Sequence, residues 1–134
     1  MNQATAQETT PEDECGRLTR EVVATLDSWQ VGDEIVLLLL GYDRSIRMRE
    51  LTRLRHGTAV LKGDEVMQRV RHLLGIQRAL QVTFPFNPNM PGFWVTTHDR
   101  HLKGMPLEIM VNDGLSGMER VWKRLDCTRN WEDD

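Results

Sequence analysis

Apolar side chains recur at helical spacing along most of this chain, and that period limits the fold more than any other feature. Leu18, Val22, Leu26 and Trp29 fall at i, i+4, i+8 and i+11. Val66, Val70, Leu73, Leu74 and Leu80 form a second stripe, which predicts a helix from about Asp64 to Val82. Met118, Val121, Trp122 and Leu125 form a third, at i, i+3, i+4 and i+7, within an element spanning about Ser116 to Leu125. Stripes of this kind bury one face of a helix and leave the other to solvent, so the chain reads as all-α, with six to eight short helices.

The run Ile35 to Leu40 is six apolar residues, a length that suits either a central strand or a buried helix. Asp33 and Glu34 before it suit the positive end of a helix dipole, and Gly41 after it suits a C-terminal cap, so a short buried helix is favoured. A second helix is expected over 43–56, with Asp43 or Ser45 as its N-cap and Gly57 at its end. Met48, Leu51 and Leu54 share one arc of that helix. Ser45, Arg49, Thr52, Arg53 and His56 share the opposite arc. Pro85, Pro88 and Pro91 punctuate a loop, an element runs from about Phe93 to His98, and Pro106 stands well as a first helical residue. Residues 1–16 carry Glu8, Glu12, Asp13 and Glu14 with almost no apolar side chain, and are expected to form a flexible acidic tail ahead of structure starting near Arg17.

The chain has 134 residues and a net charge of −3, which alone does not point to nucleic acid. The distribution of charge does. Nine basic residues lie between Arg44 and Arg78 (Arg44, Arg47, Arg49, Arg53, Arg55, Lys62, Arg69, Arg71 and Arg78) against three acids. Releasing counterions from DNA rewards clustered cations whatever the overall charge. A buried helix, a turn at Gly41-Tyr42-Asp43 and a second helix with an arginine-bearing outer face make a helix-turn-helix, in which Arg49 and Arg53 can reach guanine edges beside Ser45, Thr52 and His56. The same surplus also suits a plain solvated basic face.

Nothing in the chain resembles catalytic machinery: there is no glycine-rich phosphate loop, nucleophile elbow or paired carboxylate arrangement. His98 and His101 are three apart but have no third metal donor at ligand spacing, and Cys127 has no identifiable base. Cys15 and Cys127 are too few and too isolated for a disulfide scaffold. No secretory leader is visible, and the longest apolar run is far short of the roughly 20 residues a membrane helix needs. A cytoplasmic binding protein without enzymatic activity, cofactor or metal is expected. Trp94 and at least two of Met105, Met110 and Met118 are expected to fill a core, and Asn112-Asp113-Gly114 reads as a turn.

From residue 72 onward the pattern becomes specific. His72-Leu-Leu-Gly-Ile-Gln-Arg-Ala-Leu80, Phe84-Pro85, Phe93-Trp94, Gly104-Met-Pro-Leu-Glu-Ile-Met110, Asp113-Gly114, Gly117 and Val121-Trp-Lys-Arg-Leu-Asp126 follow one another in an order that resembles the Xre/MbcA/ParS-like antitoxins, over about residues 20–130. Two departures stand out. Thr97-His98 replaces a common proline-asparagine pair, and the stretch from Gly41 to Gly57 is about one helical turn longer than usual and lacks a tryptophan often found there. The resemblance implies a helix-turn-helix-like DNA-binding part, 17–83, followed by a small helical toxin-binding domain, 84–134, the two sharing hydrophobic surface. It implies an antitoxin that binds and blocks a cognate RES-domain, NAD-consuming toxin while repressing its own operon, with operator DNA as the second partner. A homodimer is expected, because two half-sites are usually read with two-fold symmetry.

Residues 108–134 hold seven acids and four bases. A carboxylate-rich end suits a cleft built to hold the phosphates of NAD, so Trp122, Arg129, Trp131, Glu132, Asp133 and Asp134 are the expected toxin-binding residues, with the two tryptophans as anchors. Two alternatives stand beside this reading: a DNA-binding transcriptional regulator without a toxin partner, and a protein-binding antitoxin whose helix-turn-helix has degenerated.

Overall fold

The computed structural model describes residues 11–43, 45 and 48–128. Among these residues there are seven helices and no strand: α1 (Pro11–Ser28), α2 (Asp33–Leu39), α3 (Met48–His56), α4 (Asp64–Thr83), α5 (Met90–Val95), α6 (Pro106–Asp113) and α7 (Leu115–Thr128). The all-α class read from the apolar stripes is the class observed. No described helix is long and apolar enough to cross a membrane.

Helix α4 is the central element. It packs against α1 on one side and α7 on the other, with α5 near its C-terminal end. Met67, Val70, Leu73, Ile76, Ala79 and Leu80 are buried along it. They join Val22, Leu26 and Trp29 of the first segment and Met118, Val121 and Leu125 of the last in one hydrophobic cluster. The core therefore runs without a break across the 83/84 boundary.

Local chemistry sets the helix ends. Gly41 has φ +103°, its N–H donates to the Leu38 carbonyl, and the Tyr42 N–H donates to that of Leu37. This pair of bonds, with a glycine in the left-handed region, is a Schellman cap, and it ends α2 where the glycine led one to expect. Gly57, with φ +80°, ends α3 in the same way through Thr58 N–H to the Arg53 carbonyl at 3.0 Å. Pro106 is buried in the first turn of α6. Met110 and Met118 are fully buried and Met105 and Trp94 partly so.

Three expectations need correction. Helix α1 begins at Pro11, so residues 11–16 are helical and not a flexible tail, whereas 1–10 lie outside the described residues. Acids at a helix N-terminus are favoured by the dipole, and Arg17 holds both Glu14 and Glu21 at 3.4 Å. Helix α3 begins at Met48, not near Asp43. The Asp43 carboxylate accepts the Ser45 N–H at 2.7 Å, forming a local turn that competes with helix. Met48 is consequently 43% exposed and does not belong to the buried arc, while Leu51 and Leu54 do. Helix α5 starts at Met90, before Phe93, because the chain enters it through Asn89 with Pro91 in the first turn.

The loop between α5 and α6 is fastened to α7. The Asp99 carboxylate accepts a hydrogen bond from Arg124 Nε at 3.0 Å and another from the Leu102 N–H at 2.9 Å. Both side chains of this ion pair are nearly buried, 9% exposed for Arg124 and 12% for Asp99. Arg120 donates to the Leu102 carbonyl at 3.3 Å from the next turn.

Candidate functional site

The outer face of α3 presents four of the five residues expected to meet DNA. Arg49, Thr52, Arg53 and His56 are all exposed, on the side opposite the buried Leu51 and Leu54. Ser45 is not on this helix. It sits in the preceding turn, its backbone and hydroxyl both given to Asp43, whose carboxyl is thereby held below its usual value. Arg53 pairs with Glu50 at 3.0 Å, and Glu50 also accepts the Tyr42 hydroxyl at 3.3 Å. Burial, then the charge of Glu50 and its hydrogen bond, push Tyr42 up to about 12 against the opposing charge of Arg53. Arg49 carries no hydrogen bond or ion pair to another described residue, which leaves it the least committed cation on the helix.

Not every base of the 44–78 stretch faces outward to a ligand. Arg55 donates two hydrogen bonds to Asp27 at the end of α1, at 3.0 and 2.7 Å, and one to Asp33 at the start of α2, at 2.9 Å. It clips three helices together, and its guanidinium is held firmly protonated by those carboxylates. Arg69 is folded back over Gly41 and Gly114, reaching the Leu39 carbonyl and Glu65, both at 3.4 Å. These arginines are structural. Eight positions separate Leu39 from Met48, where a helix-turn-helix has a turn of three or four residues, so α2 and α3 are not joined as tightly as in that motif.

The second surface is a groove where α4 meets α7. Its walls are His72, Glu119, Trp122, Lys123 and Asp126, around a hollow of about 280 Å³. The Trp122 indole stands edge-on to the His72 ring, centroids 5.2 Å apart and planes at 74°, a favourable aromatic geometry. His72 Nδ1 lies 2.7 Å from the Gln68 carbonyl, which fixes the ring. Gly75 explains how the indole reaches this position. A Cβ there would lie 2.1 Å from the indole ring, so only glycine lets α7 lay Trp122 flat across α4.

Of the expected toxin-binding residues, Trp122 is in this groove. Arg129, Trp131, Glu132, Asp133 and Asp134 lie outside the described residues, as do the side chains of Cys127 and Thr128. His72, Glu119, Lys123 and Asp126 were not singled out beforehand. Their signal was available in the helical spacing of Glu119, Trp122, Lys123 and Asp126, which puts charge of both signs around one tryptophan.

Gly75→Ala tests the groove directly. The indole has solvent on its outer side and can swing away, so the expected cost is modest, about 1–2 kcal/mol of unfolding free energy. The Trp122 emission, isolated by subtracting the spectrum of Trp122→Phe, should move to longer wavelength. An unmoved spectrum at unchanged stability would show that the close approach does not exist.

The fold and these two surfaces define a small helical protein with a cationic helix face and an aromatic groove. No protein-family model matches the chain, and no curated protein matches it.

Proposed function

We propose that this protein is an antitoxin that binds and blocks a RES-domain, NAD-consuming toxin and represses its own operon. The observation that carries the reading is the α4–α7 groove. Two segments that carry the resemblance, His72 to Leu80 and Val121 to Asp126, meet there: His72 lines the groove opposite Trp122, Lys123 and Asp126, and Gly75 serves to seat Trp122. A tryptophan anchor with Lys123, Glu119 and Asp126 as a charged rim fits the aromatic-centre, polar-rim plan of a protein interface. In the sequence Glu132, Asp133 and Asp134 come soon after α7, and a carboxylate-rich segment suits a cationic, phosphate-holding cleft.

Co-expression with a RES-domain protein encoded beside this chain tests the reading. The full chain should restore growth and co-purify with that protein. Trp122→Ala, and separately a chain ending after Thr128, should lose rescue while keeping the fold. Rescue by both shortened and Trp122-less chains would sink the proposal.

Two observations favour a second reading, a protein-binding antitoxin with a degenerate helix-turn-helix. The connection between α2 and α3 is long, and Arg53 is already engaged by Glu50. Binding to the promoter fragment separates the two. If α3 reads DNA, Arg49→Ala and Arg53→Ala should each weaken binding by about 1–3 kcal/mol, roughly 5- to 150-fold, and lower the salt dependence. Binding with neither salt dependence nor sensitivity to these changes would leave the chain a protein ligand only.

A further inference from the structure

The turn between α5 and α6 gathers bases on a tightly fastened backbone. Between Thr97 and Leu107 the only acid is Asp99, against His98, Arg100, His101 and Lys103. These four basic side chains are all exposed, while Leu102 among them is buried. The acid does little to offset them, because its carboxylate is engaged by Arg124 in the nearly buried ion pair. The side chains of Arg100 and Lys103 hold no hydrogen bond or ion pair to another described residue.

The backbone closes on itself. Asp99 N–H donates to the Gly104 carbonyl and Lys103 N–H to the Asp99 carbonyl, both at 2.9 Å, and Arg120 holds the Leu102 carbonyl from α7. Lys103 completes the turn at φ +61°, in the left-handed region that favours glycine. The turn thus keeps a cation where glycine would fold with less strain, and an outlier of that kind points to a use.

What the turn holds and what it lacks narrow the partner. A protein interface or an interfacial membrane anchor is centred on apolar or aromatic side chains, and no apolar residue is exposed from Thr96 to Gly104. Membrane attachment by charge alone takes roughly four to eight lysines and arginines, more than this turn carries. A sugar–phosphate backbone needs only cations and hydrogen-bond donors, which guanidinium, ammonium and imidazole N–H groups supply.

We infer that the 98–103 turn is a DNA contact separate from α3, in which Arg100 and Lys103, with His98 and His101 beside them, hold phosphates of the duplex whatever its sequence. It goes beyond the reading of α3, which concerns base edges, and stands on different residues.

The test is fluorescence anisotropy of the full chain with a labelled duplex of arbitrary sequence, about 20 base pairs long, from about 50 to about 200 mM salt. The natural chain should bind, and less tightly as salt rises. Arg100→Gln combined with Lys103→Gln should weaken binding roughly tenfold at about 0.1 M salt and flatten the log–log salt slope by about 1.8, for two phosphate contacts. Lys103→Gly separates binding from folding: its melting temperature should hold or rise while affinity falls severalfold. A turn that served the fold alone would show no fall in affinity. The inference fails if the natural chain leaves the duplex unbound at the lowest salt, or if the double variant binds as the natural chain does. Arg49→Ala in parallel distinguishes the two surfaces: loss there with none at the turn overturns the inference and leaves α3 standing, whereas loss at the turn alone supports it and removes α3 from the interface. Binding to phosphatidylserine vesicles but not to the duplex, abolished by the same double variant, would assign the turn to a membrane and overturn the DNA contact.

Discussion

Gly117→Ala is expected to lower the unfolding free energy by about 3 kcal/mol, the top of the usual range for over-packing, and the melting temperature by roughly 10 °C. Gly117 is buried in the first turn of α7, where the chain turns back from α6. A Cβ there would lie 2.3 Å from the Ile109 carbonyl oxygen and 2.9 Å from its carbon. These are backbone atoms inside α6, so no rotamer change relieves the contact; α6 and α7 must separate. Helix propensity acts the other way, favouring alanine by up to about 1 kcal/mol, less in a first turn. The clash outweighs it. Gly16→Ala is the matched control. Gly16 lies within α1, and its nearest new neighbour would be a flexible Arg20 nitrogen at 3.6 Å, an ordinary contact. There propensity acts unopposed, and a gain of about 0.5–1 kcal/mol is expected. Urea titration of both variants decides the matter: similar effects at the two sites would show that α6 and α7 are not so closely packed.

Arg124→Met is expected to cost about 3 kcal/mol at neutral pH. The substitution keeps the aliphatic stem but leaves the Asp99 carboxylate nearly buried without its cation, and breaking one side of such a pair is typically worth about 3–5 kcal/mol. The Leu102 N–H still donates to Asp99, which places this case at the low end. The pH dependence carries a sign that separates this cause from a packing defect. In the natural chain, burial alone would raise the Asp99 carboxyl. The hydrogen bond from Arg124, that from Leu102, and the charges of Arg124 and His101 outweigh it, holding the carboxyl below its ordinary 3.8. A folded value below the unfolded one gives stability that is complete above pH 3.8 and is lost as pH falls through the lower folded value. Without Arg124 two of the lowering causes are gone, the folded value rises, and acid costs the variant less than it costs the natural chain. The gap between the two proteins should therefore shrink from pH 7 toward about pH 3. Adding Asp99→Asn should recover part of the loss at pH 7. A gap that stays constant with pH would mean that Arg124 acts through packing alone.

How much of this was legible in the sequence depended on whether the signal was local. The stripe of Leu18, Val22 and Leu26, the left-handed glycine after Leu40 and the proline at 106 each act within a turn or two, and each marked its element correctly. Met48 was misplaced because Asp43 and Ser45 suit a helix N-cap and a free-standing turn equally well, and only the path of the chain decides between them. The acids of 11–16 misled for a related reason: the composition of a solvated tail is also that of a good first helical turn. The groove was the least legible part. Trp122 stood out as a large aromatic beside charges, but its seat depends on Gly75, some 47 residues earlier in the chain, and on the pairing of α4 with α7. The glycine in Leu73-Leu74-Gly75-Ile76 was visible as a recurring residue, while the reason for it lies in three dimensions. The exposure of Phe86 and Phe93 was equally hidden, since aromatic residues in a proline-punctuated loop fit a core as readily as a surface.

Because α4 supplies one wall of the groove and also the floor on which α1 rests, neither end of the molecule can loosen without disturbing the other. A ligand held at Trp122 at about a hundred times its dissociation constant would add roughly 2.7 kcal/mol to the cost of opening the whole bundle. Amide hydrogens of α1, on the far side of α4, would then exchange more slowly when the groove is filled, so occupancy at one end is recorded as lifetime at the other.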